Sequence, residues 1–242
     1  MLEVAGITKQ IGGLTAVNGV DLRVKQGEIV GLVGPNGAGK TTLMNVISGL
    51  TRSSAGRVHF CGEEITNLAP EKICKKGIAK TFQIPHSFPD LPSRQAVMVG
   101  VLFGNHKKYR MEEADARATQ LLEFVGLSRE KWDAPVKNLN AGEMKKVQLA
   151  RALASEPKLL LLDELMTGLT PTEINESIHL IRKIRDSGIS IILTEHIMHV
   201  IMGVSDRIIV LDHGEQIAEG DPQQVAKDAR VIETYLGEPF GC

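Results

Sequence analysis

The sequence predicts an α/β fold: a mostly parallel sheet with crossover helices, an antiparallel β region at the N-terminus and an inserted α-helical segment. Three observations predict it. Residues 2–24 contain short stretches of alternating apolar and polar side chains. Residues 85–154 carry helical patterns and no convincing strand. From residue 155 onward, short apolar runs alternate with helix-period segments. Buried strands that alternate with helices build a parallel sheet, whereas clean alternation marks a half-solvated antiparallel strand.

The elements follow in order. Leu2 to Ile7 alternates loosely and Val20 to Val24 alternates cleanly, so both read as strands. Glu28 to Val33 is a mostly apolar run closed by Gly34, as expected of a strand buried on both faces. A helix should open after Gly39, with Leu43, Val46, Ile47 and Leu50 at helical spacing. It should stop in the Ser-, Thr- and Gly-rich stretch 49–56. Pro85, Pro89 and Pro92 punctuate a loop, and helices are expected over Ala96 to Phe103 and Ala114 to Val125. Leu159 to Leu162 reads as a buried strand, followed by a helix over 173–187 and strands over 189–193 and 207–211. Asp221-Pro222 is a helix start, with Asp as cap and Pro at the first helical position. The expected organisation is one domain over residues 1–242. Its core is 1–84 and 155–242, and its helical subdomain is 85–154.

Composition narrows the function. The chain has 242 residues, 43% of them hydrophobic and 24% charged, which suits a globular domain with a proper core. Lys plus Arg number 28 and Asp plus Glu 29, for a net charge of -1. That balance and an aromatic content of 4% argue against nucleic acid as a partner. Cys61, Cys74 and Cys242 form no zinc or disulfide pattern, which suits a reducing compartment. No apolar run nears the roughly 18 residues of a membrane span, and the N-terminus lacks the pattern of a signal peptide. A cytoplasmic chain is expected, with any membrane span supplied by another chain.

The residues Gly34-Pro35-Asn36-Gly37-Ala38-Gly39-Lys40-Thr41 match the phosphate-loop pattern G-x-x-x-x-G-K-[ST]. Glycines let the backbone curl until several N–H groups face one anion, and the following helix N-terminus adds a favourable partial charge. Lys40 can reach the β- and γ-phosphates, and Thr41 can place its hydroxyl on Mg²⁺. Leu159 to Leu162 leads into Asp163-Glu164, two carboxylates at the C-terminal end of a buried strand. Nucleotide sites of open α/β sheets lie at such ends. Asp163 is expected to organise Mg²⁺, and Glu164 to polarise an attacking water as general base.

Taken together, these residues resemble the ATP-binding cassette family over essentially the whole chain. Leu139-Asn140-Ala141-Gly142-Glu143 stands where that family has its signature, and Lys146 to Leu153 is similar to the helix that follows it. Gln83, in Lys80-Thr81-Phe82-Gln83, stands at the Q-loop glutamine, and His196 at the switch histidine. Thr167-Gly168-Leu169-Thr170-Pro171 stands at the D-loop. Read from the residues alone, Asn140 could simply cap its helix, and His196 and His199 share a helical face without an evident third metal ligand.

The resemblance implies ATP and Mg²⁺ as ligands, with catalysis by Glu164, His196 and Lys40. It implies nucleotide contacts from the phosphate loop and Thr42, from Ile11 and Val17 beside the base, and from Gln83 and Asp163. Thr41, Gln83 and Asp163 would serve the metal. It also implies that two cassettes pair head to tail, so that Asn140, Gly142 and Glu143 of one face the phosphate loop of the other. This chain carries one loop and one signature, so it needs a second ATPase, a copy or a paralogue. The chain departs from the family pattern at Ile11, where an aromatic side chain normally stacks on adenine. It departs also at Asn140, Ala141, Glu143, Leu165 and Thr170.

Within the family, the chain most resembles the ATPase subunits of branched-chain amino acid uptake systems. The stretches that carry this are 11–20, Thr81-Phe82-Gln83 and Thr234-Tyr235-Leu236-Gly237-Glu238. The implied partners are integral membrane permease subunits, a second cassette ATPase and, indirectly, an external substrate-binding protein. The implied location is the cytoplasmic face of the membrane. The alternatives are a lipopolysaccharide- or lipid-exporting ATPase, a urea- or amide-importing one, and a soluble cassette acting on ribosomes or nucleic acid. A small P-loop kinase would leave the signature helix, Gln83 and His196 unexplained. Phe88, Leu91, Val97, Met98 and Val101 could dock a membrane partner or fill the core of the helical subdomain.

Overall fold

The computed structural model describes residues 1–82, 88–195 and 198–236. The first elements are strands β1 (Leu2–Ile11), β2 (Leu14–Val24) and β3 (Ile29–Val33), then helix α1 (Lys40–Ile47). Strands β4 (Ala55–Phe60) and β5 (Glu63–Glu64), helix α2 (Pro70–Lys76) and strand β6 (Ile78–Lys80) follow. Next come helices α3 (Ser93–Phe103), α4 (Met111–Phe124) and α5 (Ala141–Leu153), strand β7 (Leu159–Asp163) and helix α6 (Pro171–Asp186). The chain continues through β8 (Ser190–Thr194), α7 (Met198–Val204), β9 (Arg207–Asp212), β10 (Glu215–Gly220), α8 (Pro222–Val225) and α9 (Ala229–Leu236). These elements divide into two compact units, one of residues 1–70 and 184–242 and one of residues 71–183.

The first unit holds an antiparallel sheet in the order β2-β1-β4-β5. β1 and β2 form a hairpin whose two-residue turn is Gly12-Gly13, with Ile11 paired to Leu14. Both glycines have positive φ, 54° and 89°, which the turn demands of its two central residues. The same unit holds strands in the order β10-β9-β3-β8, with β3 parallel to β8 and β9, and β10 antiparallel to β9. Every residue of β3 and β8 is buried, as the apolar runs require. Helix α1 seats Leu43, Met44, Val46 and Ile47 in the core and ends at Ile47. Leu50 therefore lies beyond the helix that its spacing suggested, and it is exposed. Asp221 caps α8 by accepting from Gln223 N at 2.8 Å, with Pro222 at the first helical position.

One ion pair braces this unit and gives it a pH dependence. Arg207 Nε donates to Glu28 Oε1 at 3.0 Å, and Lys25 N donates to Glu28 Oε2 at 2.7 Å. Burial alone would raise the Glu28 carboxyl, but the Arg207 and Lys25 hydrogen bonds outweigh it and hold the group below the usual carboxylate range. A depressed folded-state pKa adds stability above the unfolded value of about 4.3, and that stability is lost as pH falls through the folded value. Glu28→Gln is expected to cost about 2 kcal/mol at pH 7 in urea unfolding, with a gap to the parent that shrinks below about pH 4. A gap that stays constant down to pH 3 would show that the charge of Glu28 contributes nothing.

The second unit is largely helical. Helices α3, α4 and α5 pack together, burying Ala96, Val97 and Val101 from α3 and Leu121 and Leu122 from α4. Val97, Met98 and Val101 thus serve the core, whereas Phe88 is exposed. Among described residues 88–154 there is no paired strand beyond an isolated bridge between Pro92 and Pro135. β6 runs parallel to β7, with Ile78, Ala79 and Lys80 opposite Leu159, Leu160 and Leu161. All of β7 is buried. No described helix is long and apolar enough to cross a membrane.

Four strands go beyond the sequence reading. β4, β5, β6 and β10 carry too few or too polar residues to stand out alone, and their neighbours define them. β10 (Glu-Gln-Ile-Ala-Glu-Gly) is an edge strand fixed by its pairing with β9.

Candidate functional site

The phosphate loop joins β3 to α1 in the first unit. Gly34 and Gly39 are required by close approach as well as by conformation. A Cβ on Gly34 would sit 2.1 Å from Leu211 O, and one on Gly39 would sit 2.5 Å from Ala16 O. Gly39 also has φ of 99° and forms the N-cap of α1, so no side chain caps that end. A helix N-terminus of this kind favours an anion. Gly37, with φ of 83°, has open space around it. Asn36 and Gly37 form the exposed crest beside a half-buried Pro35, while Ala38 is buried and its backbone ties to Pro35 and Gly214. Lys40 is buried, and its ammonium donates to Gly34 O at 2.7 Å and Pro35 O at 2.9 Å. Thr41 and Thr42 follow in the first turn, with Thr41 exposed.

The hairpin of β1 and β2 belongs to the same unit. Val17 is fully buried, and its Cγ2 would lie 3.4 Å from a Cβ on Gly39, so it backs the phosphate loop. Ile11 is 53% exposed and Leu14 70% exposed at the hairpin tip. The tip therefore offers an aliphatic pair, Ile11 and Leu14, whereas the sequence placed Ile11 and Val17 beside the base.

In the second unit, β7 carries Asp163 and Glu164 at its C-terminal end, both buried. Glu164 has φ of 50°, a left-handed conformation that costs a non-glycine residue energy and is found most often at functional sites. The neighbouring β6 supplies groups missed by the sequence reading. Lys80 Nζ lies 3.0 Å from Asp163 Oδ2, and Thr81 Oγ1 accepts from Asp163 N at 3.3 Å. Thr81 also ties to Leu161 O through its own N–H at 2.9 Å. The signal lay in the Lys80-Thr81-Phe82 stretch, but a three-residue strand gives no period from which its partner could be read.

The 139–143 segment opens α5 through a reciprocal cap. Asn140 Oδ1 accepts from Glu143 N at 2.8 Å, and Glu143 Oε2 accepts from Asn140 N at 2.9 Å. The cap occupies Oδ1, so the NH₂ end of Asn140 is the one able to donate outward. Glu143 Oε1 also lies 3.4 Å from Lys131 Nζ, which offsets the negative charge that replaces a neutral glutamine. A Cβ on Gly142 would meet the Glu173 carboxylate, with Oε1 at 2.5 Å, so a larger residue there would displace the Glu173 side chain. Glu173 in turn accepts from Thr170 N and Thr170 Oγ1, both at 2.8 Å, and these bonds lower its pKa. Thr170 is thus a helix cap for α6. Lys145 Nζ, on α5, donates to Thr167 O, tying α5 to the 167–171 segment. Gln83 and His196 lie outside the described residues, as does the side chain of His199.

The residues present suit a magnesium nucleotide. A curled glycine loop, an uncapped helix start and a buried lysine offer donors for phosphate oxygens. No group of three His, Cys, Asp or Glu among the described residues could cage a metal by itself. Thr41 in the first unit and Asp163 in the second each carry a hard oxygen donor of the kind Mg²⁺ takes.

Comparison with known proteins agrees with this chemistry. Residues 17–167 match the family described as ABC transporter, and residues 215–241 match that described as branched-chain amino acid ATP-binding cassette transporter. The chain is 36% identical to the high-affinity branched-chain amino acid transport ATP-binding protein BraF of Pseudomonas aeruginosa, over 98% of each chain. It superimposes on the ADP conformation of an ATP-binding cassette of an ABC transporter with a TM-score of 0.89 at 32% identity, covering 98% of this chain and 99% of the other. A dimeric post-hydrolysis cassette bound to ADP and Pi gives a TM-score of 0.85 at 26% identity, covering 92% and 99%. The chain, with its phosphate loop, its Asp163-Glu164 strand end and its capped 139–143 segment, belongs to the ABC transporter family and is an ATP-binding, ATP-hydrolysing cassette.

Proposed function

We propose that this cassette powers the uptake of branched-chain or closely related amino acids through a membrane permease. The observation that carries the reading is full-length similarity to BraF, joined to the C-terminal match over residues 215–241. Relatives of this type favour neither lipid export nor amide import. The chain would sit on the cytoplasmic face, held there by permease subunits and paired with a second cassette.

The residues take these roles. The phosphate loop binds the β- and γ-phosphates through its N–H groups, and Lys40 turns from the Gly34 and Pro35 carbonyls to a phosphate oxygen. Ile11 covers the base with an aliphatic surface, and Thr42 and Gln83 complete the contacts. Thr41, Asp163 and Gln83 would hold Mg²⁺, whose charge would offset that of the phosphate oxygens when bound. Glu164 takes the proton of the attacking water, and His196 is assigned a catalytic role by its match to the switch histidine. Asn140 and Gly142 donate across the dimer to the partner's γ-phosphate, and Glu143 holds Asn140 in place. Loss of the γ-phosphate removes that bridge and loosens the pair.

The test is uptake of labelled leucine, isoleucine and valine in the native host. Deletion of the chain should abolish saturable uptake, and the parent gene should restore it. The chain should co-purify from gently solubilised membranes with two multi-span proteins and a second cassette. Normal branched-chain uptake in the deletion strain, with loss of urea or lipid transport, would overturn the substrate assignment.

A further inference from the structure

Lys80 and Asp163 form an ion pair with Nζ to Oδ2 at 3.0 Å and side-chain exposures of 5% and 3%. This pair is expensive. Both charges have left water beside a strand of four leucines, and an apolar pair of equal volume would be no less stable. Thr81 holds the strand end in register through Leu161 O and Asp163 N. In the same position the ammonium lies over the Phe82 ring, 5.5 Å from its centroid.

We propose that Lys80 is a built-in countercation for Asp163, a positioning residue that holds the carboxylate and competes with the divalent ion for it. The proposal rests on the reading of Asp163 as an ion ligand. Lys80 orients Oδ2 and neutralises a buried carboxylate before nucleotide arrives. It yields that oxygen as the ion enters. The consequence is a lowered affinity for the divalent ion, since entry must overcome a positive charge already seated 3.0 Å from the same oxygen. Release of the ion after hydrolysis is made easier by the same amount.

The experiment is a Mn²⁺ titration of the full chain with saturating ADP, read by electron paramagnetic resonance. Lys80→Gln keeps an N–H donor for Asp163 and removes the charge, and Lys80→Met removes both. Each is expected to bind Mn²⁺ about tenfold more tightly than the parent, while Lys80→Arg stays within about twofold. Folded Gln and Met variants with parental or weaker Mn²⁺ affinity would overturn the proposal. Should neither variant fold, the parent protein still decides. With ¹⁵N-labelled lysine, the Lys80 amine resonance should move on addition of Mg²⁺ with ADP and stay put with ADP alone. An unmoved resonance overturns the proposal. Asp163→Asn separates the two levels: if it leaves Mn²⁺ affinity unchanged, the underlying ion-ligand reading fails and the Lys80 role falls with it.

Discussion

Glu164→Gln is expected to reduce phosphate release by about a thousandfold, within the range that loss of a general base produces. ATP affinity should stay within about threefold of the parent, because the glutamine keeps the size of the side chain and removes its basicity. The backbone argues for clean interpretation. Glu164 already sits at φ of 50°, and glutamine carries the same conformational cost there, so the strand end should not rearrange. If the pairing of two cassettes holds, the variant should accumulate as an ATP-bound dimer, visible by size-exclusion chromatography with ATP and absent with ADP. Measurable turnover at a tenth of the parental rate would mean that another group takes the proton.

Lys40→Ala is expected to weaken ATP binding by about a hundredfold, the equivalent of roughly 3 kcal/mol for charge-assisted bonds to phosphate. Hydrolysis should fall below detection at millimolar ATP. The side chain also braces the loop through the Gly34 and Pro35 carbonyls, so some local loosening accompanies the substitution. Calorimetric titration with ATP and a thermal melt in its absence separate the two effects. Lost affinity with a melting temperature within a few degrees of the parent is the expected pair of results. Parental ATP affinity would remove Lys40 from the binding machinery.

The two predictions draw on different kinds of information. The phosphate loop was legible because its chemistry is consecutive. Eight neighbouring residues set the turn, supply the N–H groups and start the helix, so no distant contact is needed to recognise them. Asp163 and Glu164 were legible for a related reason, since four leucines and two carboxylates describe a buried strand that ends at a charged site. Asp221-Pro222 and Asn140 were legible as helix starts, because a cap acts on the next two or three residues.

Long-range chemistry was not legible. The charge of Glu143 looks unfavourable in the sequence. Its pairing with Lys131 and the Asn140 N–H became visible only once the helix start was folded. Gly142 reads as one glycine of a signature, yet the side chain it faces, the Glu173 carboxylate, comes from far along the chain. Lys80 lies in a three-residue strand too short to show a period, and its partner Asp163 comes from another strand. Local propensity and spacing act within a few residues and are written in the order of the chain. The burial of a charge, the partner that offsets it and the space beside a glycine depend on which distant segments meet, and folding alone brings those together.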